Sequence, residues 1–300
     1  MMELIPIFVV LPVIAAFLIP LFGKDRVLPG KTIAGTVSLV LAGLSVYSLL
    51  SAGSGILVYR IGGWISPIGI NFVSDGFSRL MVFIINFSAL VLTVYSFDYM
   101  AKFTGNAKYY TLMMLMITGL NGVVLTGDLF NLYLFTELTA LSCYALVAFG
   151  GKHTELEASL KYLVLGTIGS LFIMLGIVFL YGFASSFNLA DISREAALYP
   201  KRSLLIFVSA LFVAGYGIKC AVVPFHAWLP DAHPSAPAPV SAILSGVVIK
   251  VLGVYVIVRL FYNIFGSIHD IGSVLMLMGV GSMILGAALA FMQDLSLIHI

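Results

Sequence analysis

The sequence predicts an all-α membrane protein: a polytopic transmembrane helix bundle of about nine spans, one membrane domain over residues 1–300. Three observations predict it. The chain is 61% hydrophobic and only 9% charged, whereas a soluble domain carries about a quarter charged residues. Its apolar residues fall into runs close to the roughly 20 needed to cross hydrocarbon as a helix. Ionisable residues stand alone inside several of those runs, where a charge is costly and by default functional.

The runs are, in order, Leu4–Phe22, Ile33–Leu50, Gly76–Tyr95, Tyr109–Thr126, Leu129–Phe149, Leu160–Phe183, Ser203–Val223, Val240–Tyr262 and Ile271–Met292. The first lacks a basic leader and is too long for a signal-peptide core, so it reads as a span. No long polar linker or composition shift marks a second domain. Between spans two and three, Ile56–Phe72 holds two β-prone runs separated by Ser66 and Pro67, which predicts a small hairpin on the membrane surface. Phe187–Arg202 is polar with mixed charges and predicts a short surface helix. Basic residues in short loops set orientation. Lys24, Arg26, Lys31, Lys102, Lys108 and Lys152 occupy alternate loops; facing the cytoplasm, they put the N-terminus outside.

Composition also excludes classes. A net charge of +2 with no basic stripe gives nucleic acid nothing to follow. Cys143 and Cys220 stand apart, without the spacing of iron–sulfur or zinc sites. No metal and no cofactor is expected, and no redox or hydrolytic site. The run from Gly279 lies inside an apolar span without a preceding strand, so it is not a nucleotide fingerprint. Gly166, Gly169, Ser170 and Gly176 in span six predict close helix packing.

The chemistry concentrates in few residues. Glu137 lies eight residues past Leu129, about 12 Å into its span. Lys219 closes span seven, five residues before Pro224. Pro224 and Pro230 predict a break there, because proline removes a backbone donor and clashes with the preceding turn. Such backbone survives at membrane depth only inside protein or around water. Lys250 is ten residues past Val240 and again central. Burial lowers a lysine's pKa and a carboxylate raises it, so a lysine between these influences can load and release a proton. Locking two helices together is the plainer role for Glu137, and snorkelling for Lys250. Lys161 opens span six as either interfacial anchor or relay. His226, Asp231 and His233 cluster in the broken segment; a zinc site there would be short of ligands, and His226 is expected to hydrogen-bond across the break and help hydrate the pathway. Arg259 is expected to snorkel. Asp75, Arg79, Asp128 and Asp294 sit at helix ends, where capping suffices.

With these residues placed, the sequence resembles the antiporter-like membrane subunits of Mrp antiporters (the A and D subunits), membrane-bound hydrogenases and NADH–quinone oxidoreductase. The resemblance rests on GDLFNLYLFTEL with Glu137, on SLKYLVLGTIGS with Lys161, and on K-x-x-x-x-P-F-H-x-W-L-P-D-A-H-x-x-A-P-x-P-V-S-A from Lys219. It covers essentially the whole chain, and its wording is nearer the Mrp D and hydrogenase branch. It implies a central pair Glu137–Lys219, relays at Lys161 and Lys250, a discontinuous span seven, and an inverted repeat whose first unit covers about residues 109–262. Members continue past a phrase like FMQDL into about five more spans, so the second repeat is expected to be missing here. The implied function is proton or sodium/proton translocation within a multisubunit complex in the cell membrane, with other membrane subunits, ions and lipid as partners. The alternatives are a structural anchor without transport and a stand-alone secondary transporter.

Overall fold

The computed structural model describes residues 2–22, 27–51, 55–265 and 269–291. Lys24, Arg26 and Asp294 lie outside them. Among the described residues nine helical runs are long and apolar enough to cross a membrane. The helices are α1 (Ile7–Phe22), α2 (Val27–Ser51), α3 (Gly76–Tyr99), α4 (Asn106–Leu125), α5 (Leu129–Val147) and α6 (His153–Ala184). After the short α7 (Leu189–Leu198) come α8 (Arg202–Lys219), the short pieces α9 (Leu229–Ser235), α10 (Ala238–Ile243) and α11 (Val256–Leu260), and α12 (His269–Phe291). Pieces α10 and α11 belong to one continuous run, Ala238–Phe265, that counts as a single span.

Polar residues start these helices where the sequence leads into apolar runs. Asp75 accepts from the Ser78 amide at 2.8 Å and Ser78 returns the bond, a capping box on α3. Asp128 caps α5 through the Asn131 amide at 2.7 Å, and Asn188 caps α7. The expected hairpin forms from β1 (Leu57–Arg60) and β2 (Asn71–Ser74), antiparallel with Leu57 opposite Ser74. Its second strand starts later than the sequence suggested, because Ile65–Gly69 closes a turn through the Ile65 carbonyl. Phe72 bridges to Thr126, and Asp128 to Asn188. The hairpin, the α4–α5 junction and the start of α7 therefore meet on one side of the bundle.

The core is built around α4, whose Met114, Ile117, Leu120 and Val123 are fully buried. Helices at the periphery present large apolar side chains outward, such as Phe17, Leu50, Leu171 and Phe291, as lipid-facing helices do. Span six is longer than predicted. It starts at His153, because Glu155 reaches back to the Lys152 amide, so Lys161 lies two turns inside rather than at the opening.

Span seven breaks where the prolines predicted. Helix α8 ends at Lys219, Ala221 takes a left-handed φ of 53°, and helix resumes at Leu229. Span eight departs from expectation. Its residues Leu244–Val248, Lys250–Tyr255 and Phe261–Phe265 wind as π-helix, wider turns that recur at functional sites. No proline or glycine pair announces them. Gly253 abuts Cys220 so closely that a β-carbon there would overlap the cysteine side chain. The widened turns thus lie against the end of α8.

Candidate functional site: a buried ion pair

Helices α5, α6 and α8 converge on one ion pair. Lys219 Nζ stands 3.2 Å from Glu137 Oε1, with the lysine side chain 1% exposed and the glutamate 23%. The same oxygen accepts from Ser170 Oγ on α6 at 2.5 Å. Lys219 Nζ also lies 3.5 Å from the Tyr144 hydroxyl. The helices come this close because α6 and α8 cross on glycines: a β-carbon on Gly215 would stand 2.7 Å from the Gly169 carbonyl.

Aromatic rings wall the pair. Tyr144 meets Tyr162 edge-on at 4.5 Å, and Tyr162 stacks on Trp228 at 3.9 Å. Trp228 is fully buried, and its Nε1 donates to the Ile218 carbonyl at 2.9 Å. The same carbonyl accepts from the Ala221 amide at 3.2 Å, so the indole adds a second bond where α8 ends. It is the bond across the break that the sequence suggested for His226. His226 Nδ1 is instead buried without a hydrogen-bond partner.

The other candidates lie elsewhere. Lys161 is half exposed and pairs with Glu157 at 2.9 Å and Asp231 at 2.8 Å. Asp231 lies on α9, so this cluster ties α6 to the segment after the break. His233 Nδ1 lies 2.8 Å from Ser241 Oγ. Asp231 and His233 thus turn to different partners. Lys250 is exposed and donates to the Ser245 carbonyl. Among the described residues no hydrogen bond or ion pair links Lys161 or Lys250 to the central pair.

Arg259 does not snorkel. Its guanidinium grips Asp75 with two bonds of 2.5 Å, and its Nε donates to the Tyr255 hydroxyl at 2.8 Å. Burial pushes the Asp75 carboxyl up, but the hydrogen bond from Arg259 and the Ser78 amide outweigh it and hold the group at about 2. The sequence reading missed Ser170, Tyr144 and Trp228 as well. Ser170 was visible in the small-residue stripe, four residues after Gly166. Nothing local distinguishes Tyr144 from other apolar-span tyrosines.

Residues 126–295 match the family profile described as NADH:quinone oxidoreductase/Mrp antiporter, transmembrane. The chain belongs to this family. It is 32% identical over 264 residues to the D-type polypeptide of the Na(+)/H(+) antiporter of Bacillus subtilis (strain 168), covering 87% of this chain and 52% of that protein. It is 35% identical over 240 residues to the N-type polypeptide of the NADH-quinone oxidoreductase of Desulforudis audaxviator (strain MP104C), covering 78% and 48%. A chain in the structure of the membrane-bound sulfane sulfur reductase, an archaeal respiratory membrane complex, superposes with a TM-score of 0.85 at 29% identity, over 92% of this chain and 57% of that one. The chain spans about half the length of the curated relatives it matches. The family member is a multi-span membrane protein, as the sequence predicted.

Proposed function

We propose that this chain belongs to the proton- or sodium/proton-translocating subunit of a multisubunit complex in the cell membrane, and that Glu137 and Lys219 hold and release the transported proton. The single observation behind the reading is the ion pair itself: a lysine with 1% of its side chain exposed, facing one carboxylate oxygen. Two unit charges about 4 Å apart at an effective dielectric near 20 interact by roughly 4 kcal/mol. Burial disfavours the ammonium, and the carboxylate favours it. Paired, Lys219 keeps its proton. When Glu137 is drawn away, the ammonium loses its counter-charge and passes a proton to water. Return of Glu137 favours reloading. The cycle is a proton transfer throughout, with one proton released for each one loaded.

Lys161 and Lys250 extend the path as relays in this reading. Lys161 would act through its contact with Asp231 on the segment after the break, and Lys250 from within the π-helical turns. His226, with a free buried ring nitrogen, would help hydrate the segment between Pro224 and Pro230. The first inverted repeat covers about residues 109–262, and the complex supplies further membrane subunits. The names of the relatives support an ion-translocating role.

The test is Glu137→Gln in the whole protein, assembled in its complex and reconstituted in vesicles. Loss of proton translocation with intact assembly is the expected result, and parallel sodium flux measurements identify the second ion. Normal translocation would favour a structural anchor and overturn the proposal.

A further inference from the structure

A cavity of about 560 Å³ opens on the hairpin side of the bundle. Asn71, Thr126, Asn188 and Ser193 line it, and Leu132 of α5 is part of its wall. Asn71 Oδ1 is buried with no hydrogen-bond partner, the condition in which a water is expected. Arg259 also faces the cavity, but its bidentate pairing with Asp75 leaves no net positive charge to repel a proton.

A second orphaned group lies beside the central pair. The Tyr216 hydroxyl is fully buried and makes no hydrogen bond of good geometry; the Thr136 hydroxyl is its near polar contact, and the Glu137 charge is within range. Tyr216 is one helical turn before Lys219 on α8. Thr136 is one turn past Leu132 on α5 and donates to the Leu132 carbonyl at 2.8 Å. Four residues rise about 6 Å along a helix, the span of one or two waters. Leaving a buried hydroxyl unpaired costs about 1–3 kcal/mol. A water between Tyr216, Thr136 and Glu137 has the two to four polar partners it needs.

We propose that the hairpin-side cavity is the aqueous port through which the central pair exchanges protons with that side of the membrane, and that the Tyr216 hydroxyl passes the proton between port and Glu137. The oxygen of Tyr216 accepts a proton from a cavity-side water and gives its own to Glu137, so one proton moves and the hydroxyl is unchanged. The second half of this proposal rests on the translocation reading; the wetness of the port does not.

The experiment uses the whole protein in its complex, in vesicles. Ser193→Cys places a thiol at the cavity and Leu132→Cys one at its deeper wall, with the parent's buried Cys143 and Cys220 as background. A membrane-impermeant cationic methanethiosulfonate is added to the hairpin side. Both thiols are expected to react, Leu132→Cys within about tenfold of the rate at Ser193→Cys. Reaction at Ser193→Cys without reaction at Leu132→Cys overturns the port. Tyr216→Phe keeps the buried ring and gives up only the hydroxyl's bond to a water, so its melting temperature should stay close to the parent's. Its translocation should fall by about tenfold or more, with a displaced pH profile that loss of packing would not produce. Unchanged translocation and pH profile in Tyr216→Phe overturn the relay. Persistent translocation in Glu137→Gln would instead strike the underlying reading.

Discussion

Ser170 Oγ lies 2.5 Å from Glu137 Oε1 and 2.9 Å from the Gly166 carbonyl of its own helix. A hydroxyl has one proton to donate, so Ser170 chooses between holding Glu137 and bonding its own backbone. The carboxylate that neutralises Lys219 is therefore retained by a donor with an alternative acceptor within reach. When Glu137 leaves, Ser170 is not stranded.

That arrangement gives Ser170→Ala a defined outcome. Glu137 keeps Lys219 but loses its second donor. Stability should fall by about 1.5–3 kcal/mol, the range for a hydrogen bond to a charged group, and proton uptake by vesicles should slow. Thermal unfolding in detergent and a pH-sensitive dye read the two effects. No change in either would remove Ser170 from the site.

The ion pair should behave as a unit. Glu137→Gln leaves Lys219 buried beside a neutral amide, which costs about 3 kcal/mol on the scale of broken buried pairs. Lys219→Met leaves the partly exposed carboxylate, a smaller loss. The double variant should be more stable than the sum of the singles by at least about 1 kcal/mol. Additive losses would mean the two groups do not interact in the folded protein.

Gly166→Ala probes the wall of the site. A β-carbon there would overlap the Tyr144 hydroxyl, the oxygen facing Lys219 Nζ. Overpacking of this kind costs about 1–3 kcal/mol, more than the roughly 1 kcal/mol alanine gains in a helix. Adding Tyr144→Phe removes the overlapped oxygen and should recover part of the loss. If the second substitution recovers nothing, the collision is not where the geometry puts it.

Asp75 predicts an acid limb. Its carboxyl sits at about 2 in the fold, against 3.8 for the free group. Because the folded value is the lower one, its contribution is complete above about pH 3.8 and is lost as pH falls toward 2. Asp75→Asn should be less stable than the parent at neutral pH, and the difference should close across that window. Arg259, Ser78 and Tyr255 are the groups that face it. A gap that stays constant from neutral pH to about 2 would place the contribution elsewhere.

The sequence alone determined the spans, because the cost of exposing peptide groups to hydrocarbon forces apolar helices of bilayer length. It determined the break after Lys219, because proline cannot continue a helix, and it marked Glu137 and Lys219 by the cost of charge in apolar runs. The family resemblance implied that Glu137 and Lys219 pair, and only the tertiary structure decided which other charges meet. Lys161 reaches Asp231, 70 residues away, and Arg259 reaches Asp75, 184 residues away, pairings no local pattern encodes. The π-helical turns, the Trp228 bond across the break and the orphaned Tyr216 hydroxyl are likewise products of packing. Each arises where two helices press together, and the close approach that creates it is a property of both surfaces at once.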